Sequence, residues 1–288
     1  MSDRGHRGDK SPTGDALSPY ENALRERFPS REALIAEGRA QTLRQQQRQA
    51  RTKRLAASGV TLALLAAVVV ADPVWRTEEL RTAVGERLVV QLADGSQVTL
   101  NTGSVLQVEY RLRSRQFELA QGQAFFTVAH GPRPFIVRSG KLAVRDIGTA
   151  FDVRRAGENL TQVAVTEGSV EVSLPGSLPR LVHTGEMVVA DRDRVQAPQP
   201  VAVAKVAAWQ RGKLMFDGTP LREALAEIQR YRQAPVVVED TAAGALRLSG
   251  EYDIAGIERL LDTLPQVLPL RVQRAADGSI TVASRARQ

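Results

Sequence analysis

One apolar run constrains this chain more than any other feature. Leu55–Ala71 reads LAASGVTLALLAAVVVA, 17 residues without a charge, of which only Ser58, Gly59 and Thr61 are not apolar. As a helix it is about 25 Å long, close to the ~30 Å hydrocarbon thickness of a bilayer. Helices buried in soluble domains seldom stay apolar on every face for that length. Val69-Val70-Ala71 resembles a small-residue cleavage site, but 54 residues precede the run, far more than a short charged leader. The expectation is an uncleaved single transmembrane helix over residues 55–75, with Val74 and Trp75 extending it and Trp75 at the lipid–water interface.

The flanking charges orient it. Arg39–Arg54 carries six Lys/Arg and no acid, whereas Asp72–Arg87 carries three Lys/Arg and four acids. Positive flanks are retained in the cytoplasm, so the N-terminus is expected inside and the C-terminal part outside the inner membrane. The net charge of +7 divides as +5 over residues 1–54 and +2 over residues 72–288. The membrane flank explains that asymmetry without nucleic acid, and no aromatic residue for base stacking lies between Phe28 and the apolar run.

Composition removes several chemistries. The chain has no cysteine, which excludes disulfides, thiolate metal sites, iron–sulfur clusters and cysteine nucleophiles. Its three histidines, His6, His130 and His183, are far apart in sequence, so neither a histidine-rich metal site nor a Ser–His–Asp triad is expected. No catalytic residue, cofactor or metal is predicted, and the chain reads as a non-enzyme.

The cytoplasmic arm, residues 1–54, is polar and too poor in apolar area to form a domain. It reads as short helical or disordered segments. Ser18-Pro19-Tyr20-Glu21 is a capping-box pattern, Leu24 and Phe28 fall four apart on one helical face, and Ser30 can cap a second helix carrying Ala33, Leu34 and Ile35. The arm is either a tether or a segment that folds onto a partner through Leu24, Phe28, Leu34 and Ile35.

From Arg87 to Ala190 the period is two, which predicts a periplasmic domain over residues 80–195. Leu88, Val90 and Leu92 alternate, Asp94-Gly95 marks a hairpin, and Val98 and Leu100 alternate after it. A turn is predicted at Gln121-Gly122, between Phe117/Leu119 and Phe126/Val128, and further short strands follow to Val189. This is a mainly β domain, sandwich or jelly-roll-like. Asp94, Asp146 and Asp152 read as turn and edge residues, not as a carboxylate cluster.

Gln196–Pro200 reads as a linker. Residues 205–288 predict a small α/β two-layer module of order β-α-β-β-α-β-β. Thr219-Pro220 opens one helix. Asp253 caps the second, Pro265 stops it, and Asp277-Gly278 is a further hairpin signal.

Several motifs then carry a resemblance in their joint order. They are Gly85-Glu86, Leu92–Ser96, Leu100-Asn101-Thr102-Gly103-Ser104, Leu119–Val128, Pro134–Val137, Ile147-Gly148-Thr149-Ala150-Phe151-Asp152-Val153, Val165–Val170 and Trp209-x-x-Gly212-x-Leu214-x-Phe216. Together they resemble the FecR family, inner-membrane regulators of iron-siderophore signalling that act as anti-sigma factors. The region from about Leu214 looks like the short N-terminal domain of secretins and TonB-dependent transducers. The resemblance implies a relay by protein–protein binding. A TonB-dependent outer-membrane transducer loaded with iron-siderophore or haem would be the periplasmic partner, and an extracytoplasmic-function sigma factor the cytoplasmic one. The arm departs from the family pattern in having no tryptophan. The alternative reading is a membrane-anchored periplasmic envelope-binding or assembly protein without sigma-factor control.

Overall fold

The computed structural model describes residue 23 and residues 31–285. The chain divides into two units, Met1–Val70 and Ala71–Gln288. The first is dominated by α1 (Arg31–Ala71), a helix of 41 residues. No proline or glycine pair interrupts it, so the predicted boundary between arm and anchor at residue 54 falls inside one continuous helix. Its segment Arg51–Ala71 is long and apolar enough to cross a membrane.

The helix stops at Ala71, four residues short of the predicted end at 75. Pro73 disfavours helical backbone at the residue before it, and Asp72 takes a left-handed conformation with φ 44°. The Asp72 carboxylate accepts from the Arg113 N–H at 2.7 Å and from the Ser114 hydroxyl. Val74 and Trp75 therefore begin a strand, and the Trp75 ring lies 5.7 Å from that of Tyr110.

In the second unit a 13-stranded sheet curls around one core. Its strands are β1 (Val74–Arg81), β2 (Leu88–Gln91), β3 (Gln97–Leu100), β4 (Val105–Arg111), β5 (Arg115–Thr127) and β6 (Phe135–Ser139). They continue as β7 (Leu142–Asp146), β8 (Ala150–Arg155), β9 (Thr161–Glu167), β10 (Ser169–Ser173), β11 (Arg180–His183), β12 (Glu186–Ala190) and β13 (Gln199–Pro200). The Asp94-Gly95 hairpin is present, with Leu88 opposite Leu100. Gln199 and Pro200, read as linker, instead pair with Met187 and Glu186.

The central strand is β5. Its first half pairs with β4 and, in parallel, with β6, whereas its second half pairs with β3 and β8. The predicted turn at Gln121-Gly122 is not a turn: strand β5 continues through it with a bend. Gly122 has φ 85°, and an added Cβ would fall 2.6 Å from the Ser104 Cα. Only glycine accommodates both the bend and that backbone approach. Phe117, Phe126, Phe135 and Phe151 pack within the curl, with ring centroids 4.4 Å apart for Phe117–Phe135 and 5.2 Å for Phe126–Phe151.

The C-terminal module follows as α2 (Val203–Ala207), a 3-10 turn (Ala208–Arg211), β14 (Lys213–Pro220), α3 (Leu221–Gln229), β15 (Val236–Val238) and α4 (Thr241–Ala245). After these come β16 (Arg247–Asp253), a 3-10 turn (Ile254–Gly256), α5 (Ile257–Val267), β17 (Leu270–Arg274) and β18 (Ile280–Ser284). Strand β14 pairs with β16, and β15, β18 and β17 form a separate three-stranded sheet. Leu221, Leu225 and Ile228 of α3 meet Ile257, Leu261 and Leu264 of α5 in a second core.

Three predicted helix boundaries move. Thr219 and Pro220 end strand β14 rather than capping α3. Asp253 precedes a 3-10 turn and makes no side-chain cap. Pro265 lies within the last turn of α5, which runs to Val267. An additional short helix, α4, is capped by the Asp240 carboxylate, which accepts from the Ala243 N–H at 2.7 Å.

Gly122→Ala should destabilise the second unit by about 3 kcal/mol or more, because strain at positive φ adds to displacement of the Ser104 backbone. Urea unfolding of the variant checks this; an unchanged midpoint would show that the bend tolerates a side chain.

Candidate functional site

Alternation along β8 puts Phe151 and Val153 into the curl and Asp152 on the opposite face. In β5 the same logic turns Gln123 and Phe125 outward beside Arg154 and Asp152 of β8. This outer face is not open to water. The 3-10 turn Ala208–Arg211 lays Trp209 over it, against Phe125 and Ala150. Gly212, with φ 74°, closes that turn by donating its N–H to the Trp209 carbonyl, which accounts for the Trp-x-x-Gly spacing.

Asp152 is the centre of a buried network. The Gln123 Nε2 donates to both carboxylate oxygens at 3.0 Å, and the Trp209 Nε1 donates to Oδ2 at 3.0 Å. The Gln123 Oε1 accepts from Asn101 Nδ2 at 2.9 Å and from Arg230 Nη2 at 2.8 Å. The Asn101 Nδ2 also donates to the Tyr231 hydroxyl at 2.9 Å. The Thr102 hydroxyl donates to the Arg230 carbonyl at 2.9 Å, where α3 has ended, and accepts from the Gly85 N–H at 2.7 Å. Glu227 of α3 pairs with Arg154 at 2.6 Å and with Arg230 at 2.5 Å. From the β domain, Arg87 reaches the carbonyls of Trp209 and Gln210.

The electrostatics follow from burial. Desolvation pushes the Asp152 carboxyl up to about 6, against the Gln123 and Trp209 donors and the Arg230 and Arg154 charges, which favour the ionised form. Burial likewise raises the Tyr231 phenol. A cavity of about 570 Å³ opens beside the network, lined among others by Arg154, Met187, Trp209, Phe216 and Glu223. Its charges are of both signs. Among the described residues no group of three or more His, Asp or Glu is placed to hold a metal ion.

This joint gathers segments that are distant in sequence. Asn101 and Thr102, Gln123, Asp152, and Trp209 with Gly212 come from four separate motifs of the resemblance. Asp94 and Asp146 do hold turns, through the N–H groups of Ser96 and Gly148. Asp152, read as an edge residue, is instead fully enclosed. The one sequence sign of its role is the isolated Trp209, which needs a partner for its indole N–H once buried. His130 lies in a loop and His183 ends β11. Of the predicted partner contacts, Leu24 and Phe28 lie outside the described residues, and Leu34 and Ile35 are 56% and 46% exposed on α1.

Asp152→Asn tests the network. A carboxyl whose folded pKa is raised favours the folded state most below its unfolded pKa near 3.9, and that advantage is lost as pH rises through about 6. Wild-type stability relative to Asp152→Asn should therefore fall between pH 4 and pH 6, by on the order of 1–3 kcal/mol, and level off above. Urea melts of residues 72–288 at several pH values measure it; a pH-independent difference would place the carboxyl in a water-like setting.

Comparison with known proteins agrees with the geometry. Residues 78–171 match the protein family described as FecR protein. Two crystal structures of a protein from Parabacteroides distasonis, provisionally described as an anti-sigma factor, are similar, each with 26% identity and a TM-score of 0.63. Each match covers 73% of this chain and 100% of the other. No curated protein matches the chain. Strands β2 to β9 lie within the matched span, which holds Asn101, Gln123 and Asp152 of the buried network, and over residues 78–171 the chain is similar to the FecR family.

Proposed function

We propose that the chain is a single-pass inner-membrane signalling regulator, with a cytoplasmic N-terminus and periplasmic C-terminal domains. In this reading the second unit receives a TonB-dependent outer-membrane transducer loaded with iron-siderophore or haem. The arm, through Leu24, Phe28, Leu34 and Ile35, binds or releases an extracytoplasmic-function sigma factor. The process is a coupling of two binding equilibria and involves no reaction. The observation that carries it is a domain similar to the FecR family, joined through Asp72 and Pro73 to a helix apolar enough to span a bilayer. The likeness to a provisional anti-sigma factor supports the cytoplasmic end.

The sigma-factor step is tested by co-purification of the full chain with an extracytoplasmic-function sigma factor. Association is expected, and it should weaken at least about tenfold in the double variant Leu34→Asp/Ile35→Asp, which places charge in an apolar contact. No association of the wild-type chain refutes the sigma-factor role. The membrane step is tested separately. Leu65→Arg should lower recovery in the membrane fraction, because a central arginine costs about 2.5–3.5 kcal/mol on insertion. Unchanged recovery counts against a spanning α1.

A further inference from the structure

The start of the second unit is pinned to the tip of the β4–β5 hairpin, Arg111-Leu112-Arg113-Ser114. Besides the Arg113 N–H and the Ser114 hydroxyl on the Asp72 carboxylate, the Arg111 Nη1 donates to the Asp72 carbonyl at 2.9 Å. Asp72 is the residue after α1, and consecutive Cα atoms are about 3.8 Å apart. Whatever angle the helix takes, the hairpin tip stays beside the point where the chain leaves it.

Two large apolar side chains are exposed at and beside that tip. Leu112 is 54% exposed and Trp75 is 69% exposed, its ring tilted 51° against that of Tyr110. Beside them opens a cleft of about 430 Å³ lined among others by Trp75, Tyr110, Leu112 and Arg133 and by the acids Asp94 and Glu109. Ion pairs surround the cleft: Arg76 with Glu78 at 3.4 Å, Arg111 with Glu109 at 2.8 Å and Arg115 with Asp94 at 2.6 Å. Arg113 and Arg133 are exposed next to the apolar pair. An exposed leucine and tryptophan flanked by arginines suit the headgroup region, where an amphipathic ring is favoured and guanidinium groups meet phosphate.

We propose that this face docks on the bilayer. Leu112 and Trp75 enter the headgroup–glycerol layer of the leaflet that α1 leaves, and Arg113 and Arg133 meet its lipid phosphates. The inference rests on the spanning reading of α1. It adds that the second unit lies against the membrane at a fixed face rather than hanging from a free link.

The absence of native cysteine makes single-site labelling direct. The full chain is placed in nanodiscs of phosphatidylethanolamine and phosphatidylglycerol, carrying nitrobenzoxadiazole at Leu65→Cys, Leu112→Cys or Leu178→Cys. Leu178, in the β10–β11 turn, is 92% exposed. The Leu65 label reports whether α1 is embedded. With that label protected from dithionite, the Leu112 label should react about tenfold more slowly than the Leu178 label, as expected for a probe held in the interface. Adding Arg113→Glu and Arg133→Glu should restore fast reaction at Leu112. Equal rates at Leu112 and Leu178 with Leu65 protected overturn the docking face and leave the spanning reading intact. Slow reaction at Leu112 in lipid-free residues 72–288 also overturns it, since the protein itself would then supply the cover. An unprotected Leu65 label overturns both.

Discussion

The buried carboxylate of Asp152 sets the terms for the second unit. An ionised group shut away from water costs several kcal/mol unless donors replace its hydration. Here the donors come from both sides of a joint: Gln123 belongs to β5, and Trp209 to the turn that leads into the C-terminal module. The β domain without that turn would lose one donor and expose Phe125. The module without the β domain would expose Trp209 and leave its indole N–H without its acceptor. Each half completes the other.

The contact is also of a particular kind. Each module has its own apolar core, one from Val98 to Ala190 and the other from Leu214 to Val282. Between them the apolar component is small, essentially Phe125, Ala150 and Trp209 with Ile254 packed against them. The remainder is hydrogen bonds and ion pairs, the composition of interfaces between domains that move rather than of obligate ones. Such a joint holds its geometry by directional contacts. Its strength responds to protonation and to ions more than that of an apolar seam does.

Much of the sheet was legible from local chemistry. Asp94-Gly95 and Asp277-Gly278 are hairpins because a turn there needs only its own residues and the alternation around them. Gln121-Gly122 carries a similar local signature with a different meaning. Its glycine answers to Ser104, and no window around residue 122 contains Ser104. The end of α1 was readable in principle, since Pro73 already restricts Asp72, but the apolar Val74 and Trp75 argued for continuation and tertiary pairing with β4 decided otherwise. Alternation correctly turns Asp152 away from the core, and nothing local reveals that a tryptophan 57 residues later covers that face.

Strand β5 borders four neighbours and belongs to both halves of the curl. The two halves are stretches of one continuous strand, so displacing either pulls on the backbone that holds the other. Amide hydrogen exchange along Arg115–Thr127 should therefore be among the slowest in the sheet, and opening should begin at strands with a neighbour on one side only, such as β1, β2, β11 and β13.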